Sequence, residues 1–164
     1  MGEIKVSKVT PLSASELTHH FHKKIPITKL IGVQVLEVSA RKACLFAPLL
    51  PNINHVNTLF GGSLYSVAAL SCYALFLALS REAGGLSDKL VIQDGNIKYL
   101  FPVDSDFISE AQLENEGELD RFLSGLKKHG KARIRLAATL QCQTKICAKF
   151  EGSYVFKEKA PLNS

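Results

Sequence analysis

The sequence predicts one α+β domain in which a curved antiparallel sheet of about six strands wraps a single long helix. Three features predict it. The stretch 63–83 carries apolar residues on nearly every face, so it must be surrounded by protein. Six segments of strand length flank it, and most follow one another without the crossover helix that a parallel sheet needs. At 164 residues, with 46% apolar and 21% charged side chains, the chain can bury one core and has no linker to separate two. We read 1–28 as an N-terminal helical segment, 29–158 as the core and 159–164 as a tail.

Taken in order, Ser13 and Glu16 have the spacing of a capping box, and Leu17, Phe21 and Ile25 follow at four-residue intervals. A helix is expected there, ended by Pro26. Segments 33–40 and 43–50, parted by Arg41 and Lys42, read as a hairpin closed by Pro51. Residues 52–62 hold three asparagines, His55, Gly61 and Gly62, which is a loop composition. Ser63 reads as the N-cap of the long helix, and Gly84 with Gly85 as its stop. Strands are expected over 89–101 and 107–113, then a short amphipathic helix from Leu119, Phe122, Leu123 and Leu126, then a hairpin of 132–142 with 146–156. Gly95 and Gly152 mark bulges or close backbone contacts.

Charge and cysteine usage exclude several classes. The net charge of +5 is scattered except for Lys127, Lys128, Lys131, Arg133 and Arg135. A patch of this size without interleaved aromatics argues against nucleic acid and suits the phosphates of a small ligand; its lysines equally suit the last turn of a helix. Cys44, Cys72, Cys142 and Cys147 show no metal-ligand spacing and read as reduced, mostly buried thiols. His19, His20 and His22 lack a further ligand in view and read as a solvated helix face, so no metal and no cofactor are expected. The apolar run 67–79 is shorter than the roughly 20 residues of a bilayer span, which predicts a core helix and no membrane. The amino end has no apolar signal core, so a cytoplasmic protein is expected.

The chemistry centres on Gly61 and Gly62. Two glycines at a helix start remove side chains where unpaired N–H groups and the positive end of the dipole point outward, so an oxygen with partial negative charge can approach. That is an oxyanion site in outline. The same pair also suits close packing of the loop on the sheet, and the surrounding residues must decide.

The run from Pro51 to Ser66, with Asn54 and His55 in the loop and Phe60, Gly61, Gly62, Ser63, Leu64, Tyr65 and Ser66 at the helix start, resembles hot-dog-fold acyl thioesterases. It is most similar to the thioesterase family of the YiiD C-terminal type. The resemblance extends through Asn96 to Pro102 and Gly130 to Tyr154, and covers the chain from about Leu30 onward. It implies a homodimeric hot dog, with further pairing of dimers left open, that hydrolyses acyl thioesters of coenzyme A or acyl carrier protein at the subunit interface. The N–H of Gly61 or Gly62 would polarise the thioester carbonyl, and Asn54 would position water or thioester. Two positions depart from the broader family: its leading histidine is Phe60 here, and its helix acid, nine residues further on, is Ala69.

The base must then come from elsewhere. By alternation Leu90, Ile92, Asp94, Asn96, Lys98 and Leu100 share one strand face. Asp94 is a candidate base, Asn96 an orienting partner and Lys98 a charge that keeps Asp94 ionised or meets the ligand; the same face also suits solvent, or an Asp94–Lys98 pair. His55 is the other candidate base, and equally suits a turn residue. Thr58, Ser63 and Cys72 have no base fixed beside them and are set aside as nucleophiles. Phe60, Ser63 and Tyr65 would line the acyl site, and Lys128 and Lys131 would meet coenzyme A phosphates. Three rivals stay open: an acyl-CoA-binding or sensing domain without turnover, favoured by Ala69; a dehydratase or hydratase, disfavoured by Phe60 and Ala69; and a dimerisation module.

Overall fold

The computed structural model describes residues 12–82, 89–113 and 115–157. Helix α1 (Ala14–Lys24) starts where expected because the capping box forms: the Glu16 N–H donates to Ser13 Oγ and the Ser13 N–H to Glu16 Oε2, each at 3.2 Å. Its apolar stripe buries Leu17 and Phe21. The helix stops at Lys24, before Pro26 as expected, and Pro26 then caps a second helix that the sequence did not show, α2 (Ile27–Ile31), closed by Gly32 in the left-handed region at φ 78°. Five residues are too few to show a period in sequence.

Strands β1 (Gln34–Val38) and β2 (Lys42–Ala47) form the first hairpin, followed by the long helix α3 (Gly61–Glu82). Strands β3 (Leu90–Tyr99) and β4 (Phe107–Gln112), helix α4 (Glu116–His129), and strands β5 (Lys131–Cys142) and β6 (Lys145–Lys157) complete the chain. All strand pairs are antiparallel, in the order β1-β2-β4-β5-β6-β3. Thirteen residues of α3 are buried, so its apolarity is answered by the sheet. At 22 residues α3 is longer than its apolar run 67–79 and, by length and composition, long enough to cross a membrane; its burial inside the fold accounts for its composition instead.

The helix begins at Gly61, two residues earlier than expected, because the Ser63 and Leu64 N–H groups already bond to the Phe60 carbonyl. Ser63 is therefore a buried first-turn residue and not the N-cap. Gly84, Gly85, the amino-terminal ten residues and the tail 159–164 lie outside the described residues.

The two sheet edges differ. At β1, α1 covers the border: the Val35 N–H donates to Thr18 Oγ1 at 2.9 Å, and His22 Nε2 bonds the Val33 carbonyl at 2.8 Å. At β3, ten residues form an edge with β6 on one side and no described strand on the other. Val91, Ile92, Tyr99, Leu100 and Phe101 stand exposed along or just beyond it.

The four cysteines are free thiols, three of them buried, but two are neighbours: Cys142 Sγ and Cys147 Sγ lie 2.7 Å apart across the β5–β6 hairpin. The Cys142 thiol donates to Cys147, which pulls the Cys147 pKa down and pushes that of Cys142 up. Burial pushes Cys72 up to about 12, leaving it protonated at ordinary pH. Mild peroxide is expected to join Cys142 and Cys147, two thiols and one peroxide giving a disulfide and two waters, while Cys72 stays a thiol. Intact mass should fall by two hydrogens, and a Cys147→Ser chain that loses the same mass would refute the pairing.

Candidate active site at the glycine turn

The loop before α3 is built by its own polar side chains. Asn54 Oδ1 accepts from the Val56 and Thr58 N–H groups at 3.0 Å, and its Nδ2 donates to Thr58 Oγ1 and to the Leu59 carbonyl. Backbone bonds from Asn54 N–H to Thr58 and from Asn57 N–H to Asn54 close the turn, with Asn57 at φ 62°. Asn54 thus shapes the loop with both of its amide ends. His55 stands exposed at the loop tip.

Asn52, which the sequence did not single out, anchors the loop to the domain. It is only 2% exposed, and its Nδ2 donates to the Ile31 and Pro48 carbonyls at 2.8 and 2.7 Å. Its own carbonyl accepts from the Phe60 N–H at 2.7 Å, while the Leu59 N–H reaches Val103. The chain therefore arrives at Gly61 on fixed supports.

Among the described residues no acceptor meets the N–H of Gly61 or Gly62. They are the leading donors of a 22-residue helix whose dipole places about half a positive charge there. Two aromatic rings explain the glycines. A Cβ at Gly62 would collide with the Phe60 ring, and one at Gly61 would sit 3.1 Å from the Tyr99 hydroxyl. Phe60 is 57% exposed, so its ring borders the turn at the surface. Tyr99 Oη donates to the Gly61 carbonyl at 2.8 Å, and burial followed by the nearby Tyr65 raises its pKa, which keeps it protonated for that bond. Tyr99 is a site residue the sequence reading missed, although it lies inside the matching stretch from Asn96 to Pro102.

Tyr65, one turn into α3, packs edge-on against Phe150 with centroids 5.2 Å apart and leans over Gly95. Gly95 is therefore a place of close approach, as expected. The expected face of β3 is corrected by a bulge between Ile92 and Asp94. Gln93 is the extra residue, and it reverses the alternation. Beyond it, Gly95 and Ile97 oppose the buried Gly152 and Phe150, whereas Asp94, Asn96 and Lys98 oppose Ser153, Glu151 and Lys149. The three polar residues lie on the outer face, away from α3 and the glycine turn, with all three exposed. Lys128, in the last turn of α4, and Lys131, at the start of β5, are exposed too. Lys131 pairs with Lys157 next to the Ala132–Phe156 pair, and Phe156 packs on Phe76, which is about 21 Å along the helix from Gly62.

The six-stranded antiparallel sheet around one long helix is the hot-dog fold of the thioesterases to which this chain is similar. The chain belongs to the family described as putative thioesterase (yiiD_Cterm), whose model matches residues 14–158. It is similar to a protein of unknown function from Chlorobaculum tepidum TLS, with 29% identity over 91% of this chain and 99% of that one and a TM-score of 0.80. A putative thioesterase from Shewanella oneidensis matches at 29% identity over 88% and 96%, with a TM-score of 0.77. A thioesterase from Haemophilus influenzae, at 13% identity over 94% and 97% and a TM-score of 0.70, shares the fold. Family and neighbours together support thioester hydrolysis as the general chemistry.

Proposed function

We propose that this chain hydrolyses acyl thioesters of coenzyme A or acyl carrier protein, with the thioester carbonyl seated on the N–H groups of Gly61 and Gly62. The observation that carries this reading is the pair of unpartnered donors at the head of α3 in a member of a thioesterase family. Water attacks the carbonyl carbon, the oxygen gains charge as the centre becomes tetrahedral, and fixed donors stabilise that charge more than the ground-state carbonyl. The C–S bond then breaks and the thiol leaves with a proton. His55 is the proposed base, because it shares the loop that carries the turn while Asp94 faces the other side of the sheet.

The working unit is proposed to be a homodimer joined through β3. Its exposed apolar residues and open hydrogen-bonding edge call for a partner, and a second copy offers the same edge. Light scattering is expected to give about twice 17.9 kDa; a monomer at micromolar concentration would sink this assembly.

A continuous thiol-release assay over acyl-CoA thioesters from acetyl to palmitoyl tests the activity, and no release from any of them refutes it. His55→Gln is expected to lower kcat by about 10²–10⁴-fold. A larger loss in Asp94→Asn than in His55→Gln would move the base to Asp94. Ala69 favours a second reading, a domain that binds acyl-CoA without turnover. Calorimetric binding with no hydrolysis over hours would select it.

A further inference from the structure

We infer that the acyl chain lies in an apolar cavity along α3, and that Ala69 and Tyr73 set the chain length the site accepts; the identity of the ligand rests on the thioester reading above. The cavity, about 400 Å³, lies between α2, the middle of α3 and the start of β3, walled by Ile27, Ile31, Ala69, Tyr73 and Ile92. Gly62, Ser66, Ala69 and Tyr73 follow at intervals of four, three and four, which places them on one stripe of the helix. Ser66 already lines the cavity one turn past Gly62. The space therefore opens just beyond the free donors. From Gly62 to Tyr73 the helix advances about 16 Å, the reach of a medium-chain acyl group and far more than an acetyl group needs.

The lining is apolar in a specific way. Thr28 Oγ1 donates to the Ile25 carbonyl at 2.8 Å, Ser66 Oγ to Gly62 at 2.8 Å and Tyr154 Oη to Ala69 at 2.9 Å. The protons of these three hydroxyls are committed to the backbone, so a polar ligand gains none of them without breaking a bond. An acyl chain needs none. A carboxylate at position 69 would stand among these apolar walls with its charge poorly solvated. Alanine there continues the apolar floor. Tyr73, whose ring lies 6.1 Å from the buried Phe21, is held at the far end and limits the run.

The test compares butyryl-, octanoyl- and dodecanoyl-CoA in kcat/KM, beside displacement of a fluorescent fatty acid by dodecanoate, which needs no turnover. Each buried methylene is worth about fourfold, so octanoyl should exceed butyryl on the order of a hundredfold. Ala69→Phe should cut that ratio below about tenfold and weaken dodecanoate binding at least about tenfold, since it fills the space that several methylenes would occupy. Ser66→Leu, at the exposed rim, repeats the test should Ala69→Phe fold poorly. Tyr73→Ala should move the optimum to longer chains. A length profile unchanged in both blocking variants overturns the inference and leaves hydrolysis standing. Dodecanoate binding that Ala69→Phe abolishes, with no hydrolysis of any thioester, upholds the cavity and overturns the hydrolase reading. Neither binding nor hydrolysis overturns both.

Discussion

Gly61→Pro is expected to lower kcat for thioester hydrolysis by about 10²–10³-fold, the usual cost of one oxyanion donor, while Gly61→Ala loses much less. The comparison isolates a single proton. Both substitutions place a Cβ near the Tyr99 hydroxyl, and both suit the first residue of a helix, where proline is well tolerated because its missing N–H has no intrahelical acceptor. Only proline removes the donor. Circular dichroism and thermal melting should show both variants folded. Equal kcat in the two would mean that the Gly61 N–H does not meet the carbonyl, and would leave Gly62 as the remaining donor of the turn.

The largest expected loss of stability is at the opposite end of α3. Phe76, Phe122 and Phe156 come from α3, α4 and β6, and all three are fully buried. Phe76 meets Phe122 edge-on at 5.5 Å and Phe156 at 6.3 Å, so one ring joins the central helix to both covering layers. Phe76→Ala leaves a cavity that three elements cannot close together and should cost about 3–5 kcal/mol. Urea unfolding at equilibrium measures it. Phe60→Ala deletes an identical side chain from the surface and should change stability by less than about 0.5 kcal/mol. A Phe76→Ala loss below about 1 kcal/mol would contradict the packing described.

The fold was legible because its largest signals are collective. An all-round apolar helix has to be enclosed, and no single residue carries that conclusion. The capping box at Ser13 and the stripe of Leu119, Phe122, Leu123 and Leu126 are also patterns repeated over a turn or more. What escaped were events of one residue. Gln93 bulges, and everything after it on β3 turns over, so Asp94 and Lys98 lie on the outer face although they keep the even spacing from Leu90 and Ile92. Helix α2 hides behind Pro26 because five residues cannot display a period.

At the site, the glycine pair was legible because unpaired donors follow from any helix start. The duties of the asparagines were not. Asn52 and Asn54 have the same side chain two residues apart, yet one is buried beneath the loop and the other folds the loop on itself. Tyr99 becomes meaningful only when β3 is laid beside the head of α3. In sequence, Ala69 shows only the lack of an acid, whereas in the fold it is part of a cavity wall.

The unequal edges of the sheet also govern what a crowd of these molecules can do. A sheet with both edge strands open can add copies on either side, which is the geometry of a fibre. Here Thr18 and His22 close the β1 border, so growth has one direction available. In the homodimer proposed above, two β3 borders would meet, each copy would present only its sealed side, and the addition would stop at a pair. Loosening α1 would therefore endanger more than local stability, because it would turn a self-terminating contact into one that propagates.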